Sequence, residues 1–288
     1  MRDEFVDVRV LDNFYQTSSF FPMPVVLVST VAETGQTNLG PYSLCFPYII
    51  AGDHSMLLIS REDSNTSLNI QRTGVCAINF VPDDRRMTRN CVMLGYPGET
   101  TAEKMENSMF TLAASTRSEE ERQPGMRYRE VVLEAIRVFE CTWSPEYALK
   151  HDPKSPECRF VLRVDKIVMK VRWRDRLFAG KGIPRMPIDN GFRDNATFWF
   201  TRGARLYEEG IPKETGVTAD AVQFAAQRID PEIVWQDDAV AKLVRVPRVS
   251  LSRVIRECVK VAKEEGMTEI TPEFLDRVRD KRSGERGR

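Results

Sequence analysis

Four blocks decide the fold: Pro24-Val-Val-Leu-Val-Ser-Thr-Val31, Gly35-Gln-Thr-Asn-Leu-Gly-Pro-Tyr-Ser43, Asp63-Ser-Asn-Thr-Ser-Leu-Asn-Ile70 and Thr73-Gly-Val-Cys-Ala-Ile-Asn79. The first is a β-branched run that opens after Pro22 and Pro24 and closes at the turn signal Glu33-Thr34-Gly35-Gln36, so residues 25–31 read as a strand entering a hairpin. The return run, Thr37 to Ile50, is interrupted by Gly40-Pro41 and Pro47. Proline donates nothing to a ladder, so this strand must be bent, bulged or at an edge, which suits the rim of a barrel.

Working outward, Met56 to Ser60 reads as a further strand. Ser64-Asn65-Thr66 then caps a short helix that stops at Gly74, and Val75 to Val81 returns as a buried strand. Residues 101–114, with Met105, Met109, Phe110 and Leu112 among charges, read as a surface helix. Two long β segments follow, Val131 to Trp143 and Arg159 to Trp173. In the second, Ile167, Met169, Val171 and Trp173 alternate with Val168, Lys170 and Arg172, which predicts one buried and one solvated face. Residues 174–215 are rich in Gly, Pro and Asn and read as long loops and an arm, with one strand near Thr197 to Thr201. Many strands with few, short helices argue for an antiparallel barrel, and neither a Rossmann glycine fingerprint nor a phosphate-loop motif is present.

Beyond Thr218 the periodicity turns helical. Ala221, Val222, Ala225, Ala226 and Ile229 form one stripe, and Val254, Ile255, Cys258, Val261 and Ala262 form another that Gly266 ends. Thr271-Pro272-Glu273 starts the next helix. The fold class is thus β-dominated α+β, a barrel followed by a small all-α domain. The expected boundaries are 1–200 for the barrel, 201–217 for a linker, 218–280 for the helical module and 281–288 for a basic disordered tail. From Arg277 to Arg288 six basic residues face two acidic ones, which reads as a solvated tail or as a phosphate-seeking arm.

The bulk numbers bound the function. The 288 residues carry 42% apolar and 29% charged side chains and no net charge, which leaves no global field to attract nucleic acid or anionic lipid. No apolar run reaches the roughly 20 residues that cross a bilayer, and Met-Arg-Asp-Glu lacks the basic flank of a signal peptide, so a cytoplasmic location is expected. Six cysteines without a CxxC, and only His54 and His151, give no metal-ligand spacing, so buried free thiols and no metal are expected.

Taken together and in order, the four blocks resemble the flavin reductase-like family of FMN-binding split barrels, over about residues 10–200. The resemblance implies bound FMN, with Ser29, Thr30, Asn38, Pro41, Tyr42 and Ser43 lining the ring and ribityl chain, and Ser60, Arg61, Asn65, Thr66 and Asn69 gathered near the phosphate. It also implies a homodimer and electrons passed from NAD(P)H or a protein electron donor to a small-molecule acceptor, with proximity rather than an acid–base pair doing the chemistry. No catalytic residue is singled out. Each residue has a plainer reading: Asn38 serves the turn, Thr66 caps the helix and Asn79 satisfies buried backbone. Leu44-Cys45-Phe46-Pro47 departs from the family pattern and places a thiol near the flavin or in the core.

Trp235, Asp238-Ala239, Leu243, Val246-Pro247, Arg253 to Ala262, Gly266, Ile270-Thr271 and Glu273 resemble the C-terminal domain of the light-independent protochlorophyllide reductase B subunit. That likeness implies a docking or dimer-stabilising module or, more sharply, one that handles a tetrapyrrole. Three functions therefore stand open: an FMN-dependent oxidoreductase, a non-catalytic flavin- or tetrapyrrole-binding carrier, and an interaction protein whose barrel has lost its ligand.

Overall fold

In the computed structural model, residues 5–95, 99–117, 129–147, 149, 155–192, 197–201, 218–246 and 248–286 are described. His151 and positions 202–217 of the expected linker lie outside them. The chain divides into two compact units, 1–207 and 208–288.

The first unit begins with a single helical turn, α1 (Phe14–Thr17), and a two-residue strand, β1 (Met23–Pro24). The hairpin β2 (Val26–Val31) and β3 (Thr37–Tyr42) follows, then β4 (Cys45–Pro47) and β5 (Ser55–Arg61). Helix α2 (Asn65–Thr73) leads to β6 (Val75–Phe80), and α3 (Arg85–Leu94) and α4 (Thr101–Glu106) precede the short pair β7 (Leu112–Ala113) and β8 (Val131–Val132). The long strands are β9 (Arg137–Trp143) and β10 (Glu157–Met169), after which come α5 (Val171–Phe178), β11 (Ile188–Phe192) and β12 (Phe198–Thr201).

Seven of these strands form one antiparallel sheet in the order β3-β2-β6-β9-β10-β5-β4. Its outer strands are consecutive in the chain. Only Ser43 and Leu44 lie between Tyr42 on one edge and Cys45 on the other, a reach of about 11 Å at most. In a flat sheet those edges would stand about 29 Å apart at ordinary strand spacing. The sheet therefore curls until its edges nearly meet, and the Ser43-Leu44 link marks the seam of a split β-barrel.

Val26, Val28, Leu58, Ile78, Phe160 and Leu162 fill the inside of the curl, where Ile70 of α2 joins them. Leu27, Leu39, Ala77 and Val138 point outward and pack against Cys91 and Leu94 of α3 and against Met105 of α4. Six free cysteines lie in the described residues, five of them buried. Cys45 belongs to the inner core, where burial pushes its thiol well above the ordinary value. A three-stranded sheet, β1-β11-β12, lies beside the barrel in the same unit.

Four expectations change. The helix over 101–114 stops at Glu106, because the Thr100/Glu103 capping box starts it and Asn107 caps it, and Met109-Phe110 runs on into β7. The strand to Trp173 stops at Met169, where its pairing with β9 ends at Arg137, and the chain turns into α5. A β-bulge between Val164 and Lys166 exchanges the faces, so Ile167 is 58% exposed and Val168 packs against the outer core. The expected loops of 174–215 also contain β11, in which Asp189 pairs with Phe200 and Phe192 with Phe198 while Asn190-Gly191 falls in a register irregularity.

The second unit is helical, as the sequence predicts. Helices α6 (Ala219–Ile229), α7 (Asp237–Leu243), α8 (Arg248–Glu264) and α9 (Pro272–Arg286) bury Val222, Trp235, Ala239, Ile255, Ala262 and Phe274, and a two-residue parallel bridge joins Val234–Trp235 to Glu269–Ile270. Gly266 ends α8 with φ +67°, the conformation foreseen for it. The backbone of α9 stays helical to Arg286, into the 281–288 stretch expected to be a disordered tail. Among the described residues no helix is long and apolar enough to cross a membrane, and no group of three or more His, Cys, Asp or Glu could hold a metal.

Candidate functional site at the barrel seam

The seam opens into a cleft of about 350 Å³. One wall is the end of the edge strand β3, Gly40, Pro41 and Tyr42, with Ser43 of the link. The facing wall carries Ser60 and Arg61 from β5 and Asn65 and Thr66 from the start of α2. Local chemistry fixes that helix start. The Ser64 hydroxyl accepts from the Ser67 amide at 3.1 Å, and Gly74, at φ +68°, closes the helix. No acceptor for the Asn65 and Thr66 amides is found among the described residues, so the positive end of the helix faces the cleft.

A chain of hydroxyls ties the two walls together. Tyr42 Oη lies 2.8 Å from Ser60 Oγ, which lies 2.8 Å from Ser64 Oγ; Ser64 Oγ reaches Ser67 Oγ at 3.1 Å, and Ser67 Oγ donates to Arg61 O at 2.6 Å. Gly40 is required by this approach. A Cβ there would stand 2.5 Å from Thr66 Oγ1 and 2.9 Å from Tyr42 Cε2. Bare backbone at residue 40 is what lets the helix start lie against the strand.

Two cations serve the same place. Arg61 lines the cleft with its side chain half exposed, 3.9 Å from Asp63. Lys104 of α4 lines it too, and burial lowers its ammonium below the ordinary lysine value; Glu99 opposes that shift and Arg61 adds to it. The cations, the helix end and the hydroxyls together make a seat for a dianion such as a phosphate.

Of the residues singled out in the sequence, Pro41, Tyr42, Ser43, Ser60, Arg61, Asn65 and Thr66 come together on the cleft. Ser29, Thr30, Asn38 and Asn69 do not line it: they are buried and bonded to one another or to neighbours. Thr30 Oγ1 accepts from Asn69 Nδ2 at 3.1 Å and from Asn38 Nδ2 at 3.4 Å, and Asn38 Nδ2 also lies 3.4 Å from Thr66 Oγ1. The Ser29 hydroxyl receives Asn79 Nδ2 at 3.2 Å. Asn79 serves the buried backbone, donating to Leu27 O and Ala77 O and accepting from Val132 N at 2.9 Å. Cys45 does not line the cleft.

Sequence reasoning missed Lys104 and the opposite corner of the cleft, built by Tyr15, Glu157 and Asp189 with Phe198 and Phe200. Lys104 sits in a helix with no apolar stripe. Its only signal was the Thr-Thr-Ala-Glu capping box, which locates a helix start and not a ligand.

Comparison with known proteins supports the class of fold. No family model matches the sequence. Among solved structures, a protein described as a flavin reductase with a split barrel domain from Shewanella frigidimarina superposes with a TM-score of 0.50 at 14% identity, covering 66% of this chain and 87% of that one. The flavoredoxin of Desulfovibrio vulgaris (Miyazaki F) gives a TM-score of 0.50 at 14% identity, covering 74% of this chain and 100% of that one. The first unit therefore has the split-barrel fold of these proteins. An uncharacterised protein of Methanothermobacter thermautotrophicus is 34% identical over 71 residues, which are 25% of this chain and 32% of that protein, so the match spans about a third of the relative.

Proposed function

We propose that the chain is an FMN-dependent oxidoreductase of the flavin reductase-like kind. The observation that carries this reading is the convergence, at the seam of a split barrel, of an open helix start, two cations and a bare Gly40 backbone on one cleft. The residues present fit the group. Arg61, Lys104 and the Asn65 and Thr66 amides would hold the phosphate; Tyr42, Ser43 and Ser60 offer hydroxyls to the ribityl chain; Pro41 and Val25 give the ring an apolar edge. Bound FMN would supply a two-electron carrier between a donor and an acceptor.

The chain's own part is orientation. The hydroxyl relay from Tyr42 to Ser67 holds the β3 edge against the α2 start, so the two halves of the seat keep a fixed distance. Reduction by NAD(P)H or by a protein electron donor, a small-molecule acceptor, assembly as a homodimer and a cytoplasmic location complete the reading. The helical unit, with its likeness to the protochlorophyllide reductase domain, is read as a docking or dimer-stabilising module.

The deciding experiment is the absorption spectrum of the isolated protein, followed by anaerobic addition of NADH or NADPH. A yellow protein that bleaches supports an oxidoreductase. A yellow protein that neither nucleotide bleaches points to a protein donor or to the carrier reading. Protein that stays colourless after added FMN overturns the proposal.

A further inference from the structure

Followed from one end to the other, the wall of the cleft changes the sign of its charge. Lys104 lies close enough to Arg61 to feel its charge. Arg61 stands directly opposite Glu157 in the β5–β10 pair. Glu157 and Asp189 both act on the Tyr15 phenol. The order is Lys104, Arg61, Glu157, Tyr15, Asp189, and all five line the same cleft. Cations gather at the α2 start, and from Glu157, the strand neighbour of Arg61, the wall runs through the Tyr15 phenol to Asp189.

The fold holds Tyr15 in that corner. Gln16 presses on β11 at Gly191, where a Cβ would stand 2.1 Å from Gln16 O and 2.6 Å from its Cα. Gly191 also has φ +91°, which disfavours any side chain. Gln16 Nε2 donates to Asp189 Oδ2 at 2.8 Å, and Asp189 Oδ1 accepts from the Gly191 amide at 2.7 Å. So fixed, α1 sets the Tyr15 phenol against Ser43, and burial raises that phenol above its ordinary value while the Ser43 hydrogen bond opposes the shift. Both Asp189 oxygens are engaged. Glu157 Oε2 lies 3.4 Å from Ser155 Oγ and 3.8 Å from Arg159, and Oε1 keeps accepting capacity.

We infer that Tyr15, backed by Glu157 and Asp189, is the specificity-determining corner of the cleft, and that it admits an uncharged or cationic planar ring that donates hydrogen bonds while rejecting an anionic one. The inference rests on the reading that a flavin phosphate takes the α2 end, which leaves this corner to the second ligand. A carboxylate entering it would meet Asp189 and Glu157, the latter partly offset by Arg159 at 3.8 Å, in a partly desolvated space where such pairs are weakly screened.

Two probes share one pyridine ring and differ in charge: 1-methylnicotinamide, a cation, and nicotinate, an anion. Their binding to the full chain is measured by saturation-transfer NMR with and without FMN, and FMN uptake is read separately from its visible absorption. The cation is expected to bind about tenfold tighter, the effect of one partly screened charge pair. Glu157→Gln brings the ratio to about threefold, and Tyr15→Phe weakens the cation about fivefold, as expected for one lost hydrogen bond. Equal binding, no detectable binding of 1-methylnicotinamide, or a ratio unchanged in Glu157→Gln overturns the inference. A preference that persists in protein unable to take up FMN leaves this inference standing and removes the FMN reading; FMN uptake without a preference does the reverse.

Discussion

Two polar clusters lie within one strand spacing of each other in this barrel. The inner one is buried on both faces of the sheet, Thr30, Asn38 and Asn69 on the α2 side and Ser29 and Asn79 on the other, and apart from the Asn38 contact with Thr66 Oγ1 its donors go to its own members and to buried backbone. The seam cluster, Ser43, Ser60, Arg61, Asn65, Thr66 and Lys104, shares Ser, Thr and Asn with it, adds two cations and faces an open cleft. The hydroxyls and amides by themselves do not separate them. What differs is the surroundings: the inner cluster is buried on both faces of strands β2, β3 and β6, and the seam cluster sits by the Ser43-Leu44 link, where the two sheet edges meet. A buried amide must find its bonds inside the protein, whereas one at the seam can keep them for a ligand.

The contrast can be broken most severely at Asn79. Asn79→Ala strands two buried carbonyls, the Ser29 hydroxyl and the Val132 amide, and is expected to cost about 3 kcal/mol of stability. Chemical denaturation should show this, and the fraction that remains folded should bind FMN as the parent does; a selective loss of FMN would move Asn79 into the seam cluster. Gly40→Ala acts on the other side of the contrast. Its Cβ would overlap Thr66 Oγ1, so FMN affinity should fall by about 2 kcal/mol, roughly 30-fold, the range of overpacking at a tight contact. Titration of FMN fluorescence measures it, and unchanged affinity would mean that the helix start does not hold the cofactor.

A smaller effect is expected for Thr66→Val combined with Ser43→Ala, at about 1–1.5 kcal/mol in FMN affinity for removed hydroxyls. Thr30→Val serves as the control in the inner cluster: it should lower the unfolding midpoint and leave FMN affinity unchanged. The smallest effect belongs to Lys104→Gln, about 0.5 kcal/mol at low salt, because this cation is only partly buried. The difference should disappear as ionic strength rises, and a salt-independent loss would show that Lys104 acts by packing.

Much of the fold was legible in the chain. Local rules sufficed for the β2–β3 hairpin, the Ser64 cap and Gly74 stop of α2, the buried return strand β6 and helix α8 ended by Gly266, because hydrogen bonding and backbone conformation within a few residues decide them. Less was legible where a distant partner chooses. Val171 and Trp173 alternate as a strand does, yet β9 offers nothing to pair with beyond Arg137. The bulge at Val164–Lys166 reversed the faces that alternation assigned.

The site divides in the same way. The sequence by itself determined that a Gly40-Pro41 strand suited to an edge and a serine-capped helix start would be present, and Gly40, Pro41, Tyr42, Ser43, Ser64, Asn65 and Thr66 of those blocks meet on one cleft. Only the tertiary structure decided which polar side chains open to it, since that depends on where the curled sheet leaves its seam. It also brought Lys104, Tyr15, Glu157 and Asp189 to that seam from four separate stretches of chain. Charges gathered from such distances share no local pattern, because what assembles them is the closing of seven strands over a two-residue link.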